Sequence, residues 1–206
     1  ILSLTGINSG QLSRAELVAL FRDYLEAGVH GLCFSPYGEG EGPGTKMRAE
    51  QIDARLECIR PYTDWVRSFS CTEGLEQIPG IARKKGLKTL VGAWLTDDAA
   101  LNEREITGLL EVVGRGEADL IAVGNEVLYR KELSEDALIG YIERVKAAAP
   151  GIPVGYVDAY YEFCNRPQLT AACDVIYANC YPFWEGCPFD YSLLYMKDMY
   201  RRAVMA

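Results

Sequence analysis

Short apolar runs that end in polar, glycine-rich stretches alternate along this chain with longer segments in which apolar residues recur at helical spacing. Ser13-Arg14-Ala15-Glu16 opens the first such segment as a capping box, in which hydroxyl and carboxylate each satisfy a backbone N–H. Leu17, Leu20, Phe21 and Leu25 share one face of the predicted helix, which stops near Gly28. A strand is predicted at 31–35, then a glycine-rich loop, then a helix from about Thr45 carrying Ile52, Leu56 and Ile59 as far as Pro61. The second strand spans 65–70, and its short helix has Pro79 suited to a first turn and Gly86 to the C-terminal cap. The third spans 89–94 and is followed by Ile106, Leu109, Leu110 and Val113 at i, i+3, i+4 and i+7.

The fourth run, Leu120-Ile121-Ala122-Val123-Gly124-Asn125, does not alternate, as expected of a strand covered on both faces. Its helix starts at Ser134, with Glu135 and Asp136 favourably placed in the first turn and Leu138, Tyr141, Ile142 and Val145 buried. A fifth strand at 153–158 leads to a weakly patterned helix near 166–173. The sixth, at 174–181, leads to a helix from about Tyr191. Strand–helix units in strict alternation imply a parallel α/β sheet. A unit length of roughly 30 residues suits a TIM (β/α)8-type barrel, whose eight units need about 250, so about six units are expected here. A doubly wound sheet fits less well. Its first loop usually cradles phosphate, whereas Glu39 and Glu41 in Gly38-Glu39-Gly40-Glu41-Gly42 would repel it. Residues 1–30 are expected to pack on the barrel as an N-terminal segment and helix, and 31–206 to form the barrel domain.

Composition then narrows the chemistry. In 206 residues, 49% are hydrophobic, enough for a sizeable core, and the net charge is −8. An acidic balance without basic clusters argues against nucleic acid or an anionic membrane as partner. No apolar run approaches the roughly 20 residues needed to span a bilayer. The seven cysteines form no Cys-x-x-Cys pair, and several lie in or beside apolar strands. They are expected to be mostly reduced core residues, which leans towards the cytoplasm; no signal peptide is visible, though the first residue is Ile1.

In a βα-barrel the C-terminal strand ends gather at one mouth, where catalytic groups sit. The six ends contribute Ser35 and Tyr37; Arg67 and Ser70; Trp94; Asn125 and Glu126; Asp158; and Asn179, Tyr181, Phe183 and Trp184. Aromatics mixed with amides, carboxylates and an arginine suit a sugar, whose C–H faces stack and whose hydroxyl rim hydrogen-bonds. A Schiff-base aldolase needs a lysine at such an end, and the only strand lysine, Lys88, opens its strand. One histidine, His30, cannot supply the usual ligands of a metal hydrolase, so no metal or other cofactor is expected. A glycosidase needs only two carboxylates, and Glu126 is a candidate for one if it does more than cap the following loop.

Val123-Gly124-Asn125-Glu126-Val127-Leu128-Tyr129-Arg130 resembles the acid/base motif of glycoside hydrolase family 17, the β-1,3-glucanase-like enzymes of clan A. Phe34-Ser35-Pro36-Tyr37, Val66-Arg67-Ser68-Phe69-Ser70, Gly92-Ala93-Trp94-Leu95 and Asn179-Cys180-Tyr181-Pro182-Phe183-Trp184-Glu185-Gly186 extend the likeness in the right order, in the bacterial style of the family. The resemblance implies a retaining β-glucan hydrolase on a (β/α)8 barrel. Glu126 would be the general acid/base and Asn125 would bind the sugar 2-hydroxyl. Arg67 and Tyr181 would surround the partner carboxylate, with Tyr37, Trp94, Asp158, Asn179 and Trp184 as substrate-binding candidates. The family's nucleophile is a glutamate after the seventh strand, in a Glu-Thr-Gly-Trp-Pro-like motif. The sequence stops at Ala206 before it, so these residues alone are not expected to complete a double displacement. A β-glucan transglycosylase, or a non-catalytic carbohydrate-binding protein on a degenerate barrel, would show the same motifs.

Overall fold

The computed structural model describes residues 9–206. Strands β1 (Val29–Cys33), β2 (Thr63–Arg67), β3 (Lys88–Ala93), β4 (Leu120–Asn125), β5 (Val154–Ala159) and β6 (Val175–Asn179) form one sheet in sequential order. Every neighbouring pair is parallel, with β1 and β6 as the two edges. The helices are α1 (Arg14–Glu26), α2 (Ala49–Ile59), α3 (Ile78–Lys84), α4 (Ala99–Gly114), α5 (Glu135–Ala148), α6 (Tyr160–Asn165), α7 (Pro167–Ala172) and α8 (Ser192–Met205). This is the expected partial TIM barrel, a curled sheet with its helices on the convex side.

The core lies between the convex face and the helices. Val91, Ile121, Val123, Val154 and Tyr156 pack against Ile106 and Leu109 of α4 and Leu138 and Ile142 of α5. Val66 packs against Ile52 and Leu56 of α2 and Ile78 of α3. Each such side chain, fully buried, contributes about 1.5–3 kcal/mol. Alternation along a strand then sends the intervening residues to the concave face. Arg67 follows buried Val66, and Asn179 follows Ala178, which packs on the helix side.

Three expectations are corrected and one is added to. Helix α2 starts at Ala49 and not near Thr45, because the Met47 N–H bonds to the Glu73 carbonyl at 2.8 Å and the Met47 side chain is buried, holding the chain extended. The helix expected near 166–173 forms as α7, but an unexpected short helix, α6, precedes it; the two are separated at Arg166, which leaves the helical region ahead of Pro167. Helix α1 forms with its capping box, yet buries none of its residues; Phe21 is 65% exposed because no described element covers that face. Its contact is with the turn Arg60–Tyr62. All seven cysteines are free thiols, but only Cys71 is buried, where loss of solvation pushes its thiol well above the usual range.

Candidate active site

The fourth strand ends in a break. Successive strand residues face opposite sides, so Asn125, two residues on from helix-facing Val123, would by alternation join it in the core. The register against β5 shifts between Ala122 and Asn125, Gly124 has φ +85°, and Glu126 has φ +53°. These left-handed residues bring both neighbours to the concave face. Arg67 Nη2 donates to Asn125 Oδ1 at 2.5 Å, and Asn179 Nδ2 donates to Glu126 Oε1 at 2.6 Å. Strands β2, β4 and β6 are not sheet neighbours, so the two bonds span the mouth of the barrel. A non-glycine residue in the left-handed region costs on the order of 1–2 kcal/mol and persists only where its surroundings hold it. Here the Glu126 N–H bonds to Val157 O at 2.7 Å, and its carbonyl accepts from Arg130 N–H at 2.8 Å.

Two stacked cations flank this pair. The Arg67 guanidinium lies 4.5 Å over the Phe69 ring, and that of Arg130 lies 4.7 Å over Trp94. Arg130 Nη1 donates to the Asn125 carbonyl, and Nη2 donates to Leu95 O at 2.9 Å and pairs with Glu132 at 2.6 Å. One arginine thus ties the ends of β3 and β4 together. Phe69 and Trp94, with centroids 6.5 Å apart, wall a cleft of about 690 Å³ over the first three strand ends. Tyr37, Arg104 and Glu105 also line it. Burial, then the Glu105 charge, pushes the Tyr37 hydroxyl up. Two buried polar atoms have no hydrogen-bond partner among the described residues in this region: Arg67 Nε and the Tyr177 hydroxyl. Tyr177 lies on β6 two residues before Asn179, on the same face, and Arg67 lowers its pKa against the larger upward push of burial.

The structure brings Arg67, Asn125, Glu126 and Asn179 together, and sets Tyr37 and Trp94 in the adjoining cleft. Tyr181 follows β6 half exposed; burial and then the Glu126 charge push its hydroxyl up. Trp184 is 80% exposed and touches Phe183 edge to face, outside the cleft. Asp158 is a correction. It is fully buried, on the same strand face as helix-side Tyr156, and no substrate hydroxyl can reach it. Its carboxylate accepts from the Tyr156 hydroxyl, from Ala159 N–H at 2.7 Å and from Tyr129 N–H at 3.4 Å.

Arg130 and Glu105 were missed from the sequence. Arg130 was legible only as the last residue of the motif that begins at Val123. Glu105 carried a clearer signal: it falls three residues after Asn102 and four before Leu109, on the buried face of α4.

Residues 31–205 match the BtgE/BtgC glycoside hydrolase domain family. A glucan 1,3-beta-glucosidase of Schizosaccharomyces pombe is 28% identical over 173 residues, covering 78% of this chain and 54% of that protein. A glucan 1,3-beta-glucosidase of Candida albicans is 24% identical over 160 residues, covering 69% of this chain and 52% of its own length. The chain thus spans about half the length of these two relatives. Among solved structures, an active-site mutant of Rhizomucor miehei beta-1,3-glucanosyltransferase in complex with laminaritriose superposes with a TM-score of 0.75 at 25% identity. That alignment covers 88% of this chain and 68% of the other.

Proposed function

The chain belongs to the BtgE/BtgC glycoside hydrolase domain family, and from that membership we propose that it carries the acid/base half of a retaining β-glucan hydrolase acting on β-1,3-linked substrate. The observation that carries the reading is the paired geometry at the end of β4, with Asn125 held by Arg67 and Glu126 held by Asn179. Glu126, protonated, gives its proton to the departing glycosidic oxygen. As carboxylate it then takes a proton from the water that releases the sugar. Because Asn125 Oδ1 already accepts from Arg67, its Nδ2 is the atom left to donate to a sugar 2-hydroxyl, the ring position whose hydrogen bonds strengthen in the transition state of glycoside hydrolysis.

A retaining mechanism needs a second carboxylate about 5–5.5 Å from the first. The unused buried donors, Arg67 Nε and the Tyr177 hydroxyl, support a place for it, since a carboxylate there would satisfy both. The resemblance puts that group after a seventh strand. Tyr181, two residues beyond Asn179, is proposed to hold it as well. Trp94 and Tyr37 offer ring faces to sugars in the adjoining cleft, and Trp184 offers one from the rim. The placement as a bacterial-type member of clan A rests on the motifs alone; the relatives named above are fungal.

Transfer to a second sugar in place of water is favoured by the likeness to a glucanosyltransferase, and chromatography of the products separates the two outcomes. The test is laminarin hydrolysis by the full-length protein and its Glu126→Gln variant. Loss of about 10²–10⁴-fold in kcat is expected from removing a general acid/base. Unchanged activity in the variant refutes the assignment, and a full-length protein that binds laminarin without cleaving it establishes the non-catalytic alternative.

A further inference from the structure

We propose that Tyr156 and Asp158 of β5 are positioning residues, which set the angle of the Glu126 carboxyl by gripping the backbone of the turn behind it. The inference rests on Glu126 being the acid/base.

The turn leaving β4 has three left-handed residues within eight positions, Gly124, Glu126 and Lys131, two of them not glycine. Such a backbone does not hold itself; something must over-determine it. Three consecutive residues of β5 do so. The Tyr156 hydroxyl accepts from Leu128 N–H at 3.0 Å, the Val157 carbonyl accepts from Glu126 N–H at 2.7 Å, and Asp158 Oδ2 accepts from Tyr129 N–H at 3.4 Å. The Tyr156 hydroxyl also donates to Asp158 Oδ2, so the two side chains act as one clamp. Asp158 Oδ1 is anchored on its own strand by Ala159 N–H. The Tyr156 ring fills the space behind Gly124: a Cβ there would lie 3.3 Å from Tyr156 Cε2.

A buried carboxylate with no cation bonded to it is costly, and burial pushes the Asp158 carboxyl up, while its three hydrogen bonds pull the other way. A group kept under that cost, bonded to the turn at Tyr129 and to the tyrosine that holds Leu128, is explained by what the turn carries. Removing the clamp leaves the fold's core and the substrate cleft in place but frees the Glu126 backbone to relax out of its left-handed conformation.

The experiment compares Tyr156→Phe, Asp158→Asn and Glu126→Gln in the full-length protein, with laminarin as substrate. It reads kcat, KM, the pH profile of kcat/KM and the melting temperature. Tyr156→Phe and Asp158→Asn are expected to lower kcat by about 10–100-fold with KM within twofold, since a displacement on the order of 1 Å at a catalytic group has that effect. They also change the pH profile of kcat/KM, which a purely structural loss of stability leaves as it is. Unchanged kcat and profile with only a lower melting temperature overturn the inference. Asp158→Asn, nearly equal in volume, keeps the test open should Tyr156→Phe not fold. If Glu126→Gln is itself fully active, the acid/base reading has failed. If Glu126→Gln is inactive while both clamp variants match wild type, only the clamp has failed.

Discussion

Glu105 shows how much one carboxylate in the helix layer does for the mouth. It is 1% exposed on α4 and accepts four hydrogen bonds. Ser70 Oγ lies at 2.5 Å and Thr72 Oγ1 at 2.7 Å on one oxygen; Cys71 N–H at 2.8 Å and Trp94 N–H at 3.1 Å are on the other. The helix comes close enough for this because Gly108 faces the same loop: a Cβ there would sit 2.1 Å from the Cys71 carbonyl oxygen. Glu105→Ala leaves two backbone N–H groups, buried at Cys71 and half-buried at Trp94, without acceptors, at about 1–3 kcal/mol each, while the Ser70 and Thr72 hydroxyls, 3.1 Å apart, can bond to one another. The loss is therefore about 4 kcal/mol.

Glu105→Gln should differ. Its carbonyl can take the two N–H groups and its amide can donate to the two hydroxyls, so the loss falls to about 1–2 kcal/mol. Urea unfolding followed by far-UV circular dichroism at pH 7 measures both. With a slope of about 3 kcal/mol per molar, the midpoint should drop by about 1.3 M for alanine and about 0.5 M for glutamine. An alanine variant within about 0.3 M of wild type, or a glutamine variant as damaged as alanine, refutes the idea that backbone satisfaction dominates here.

Two further outcomes are expected. Gly124→Ala places a Cβ against the Tyr156 ring at φ +85°, and should cost about 1–3 kcal/mol by the same unfolding assay while lowering kcat on laminarin, since both the clamp and Glu126 shift. Asp174 is held below the usual carboxylate range first by Lys146, 2.7 Å away, then by the Val154 N–H. A depressed folded pKa gives stability that is present above the unfolded value of about 3.9 and lost as pH falls through the lower folded value. Asp174→Asn should thus cost about 0.2–1 kcal/mol at pH 7, the range for an exposed pair, and progressively less as the pH falls below the unfolded value; a loss that does not shrink on acidification would contradict it.

The parallel order was legible because a buried parallel strand has its own signature, a solid apolar run, and each run here is followed by a helical period. Arg67 and Asn179 were legible by the same logic, each sitting next to a small or branched apolar residue that takes the helix side. Strand ends slid at β1 because Phe34 is apolar and buried yet lies past the strand, its N–H bonded to Arg67 O. The apolar stripe of α1 misled, since amphipathicity states that a face can be covered and not that a described element covers it. Glu105 was not legible from the strand ends because it lies in the helix layer behind them. A charged residue on the buried face of a helix is the informative exception.

Asp158 and Glu126 are the instructive contrast, for both are acids at the end of an apolar strand. Parity separates them. Asp158 continues the face of Val154 and Tyr156, both packed against helices, and so cannot turn to the mouth without a break in β5. On β4 the break exists, and glycine marks it: Gly124 with φ +85° lets Asn125 leave the face of Ile121 and Val123, so that an amide and an acid at consecutive positions both face the mouth. A regular strand could present only one of the two. The apolar run, the glycine, the amide and the acid therefore describe a strand that must be broken for both polar groups to face the mouth. A broken strand needs a hold from its neighbour, which the buried, oppositely facing Asp158 and its Tyr156 partner provide at Leu128 and Tyr129.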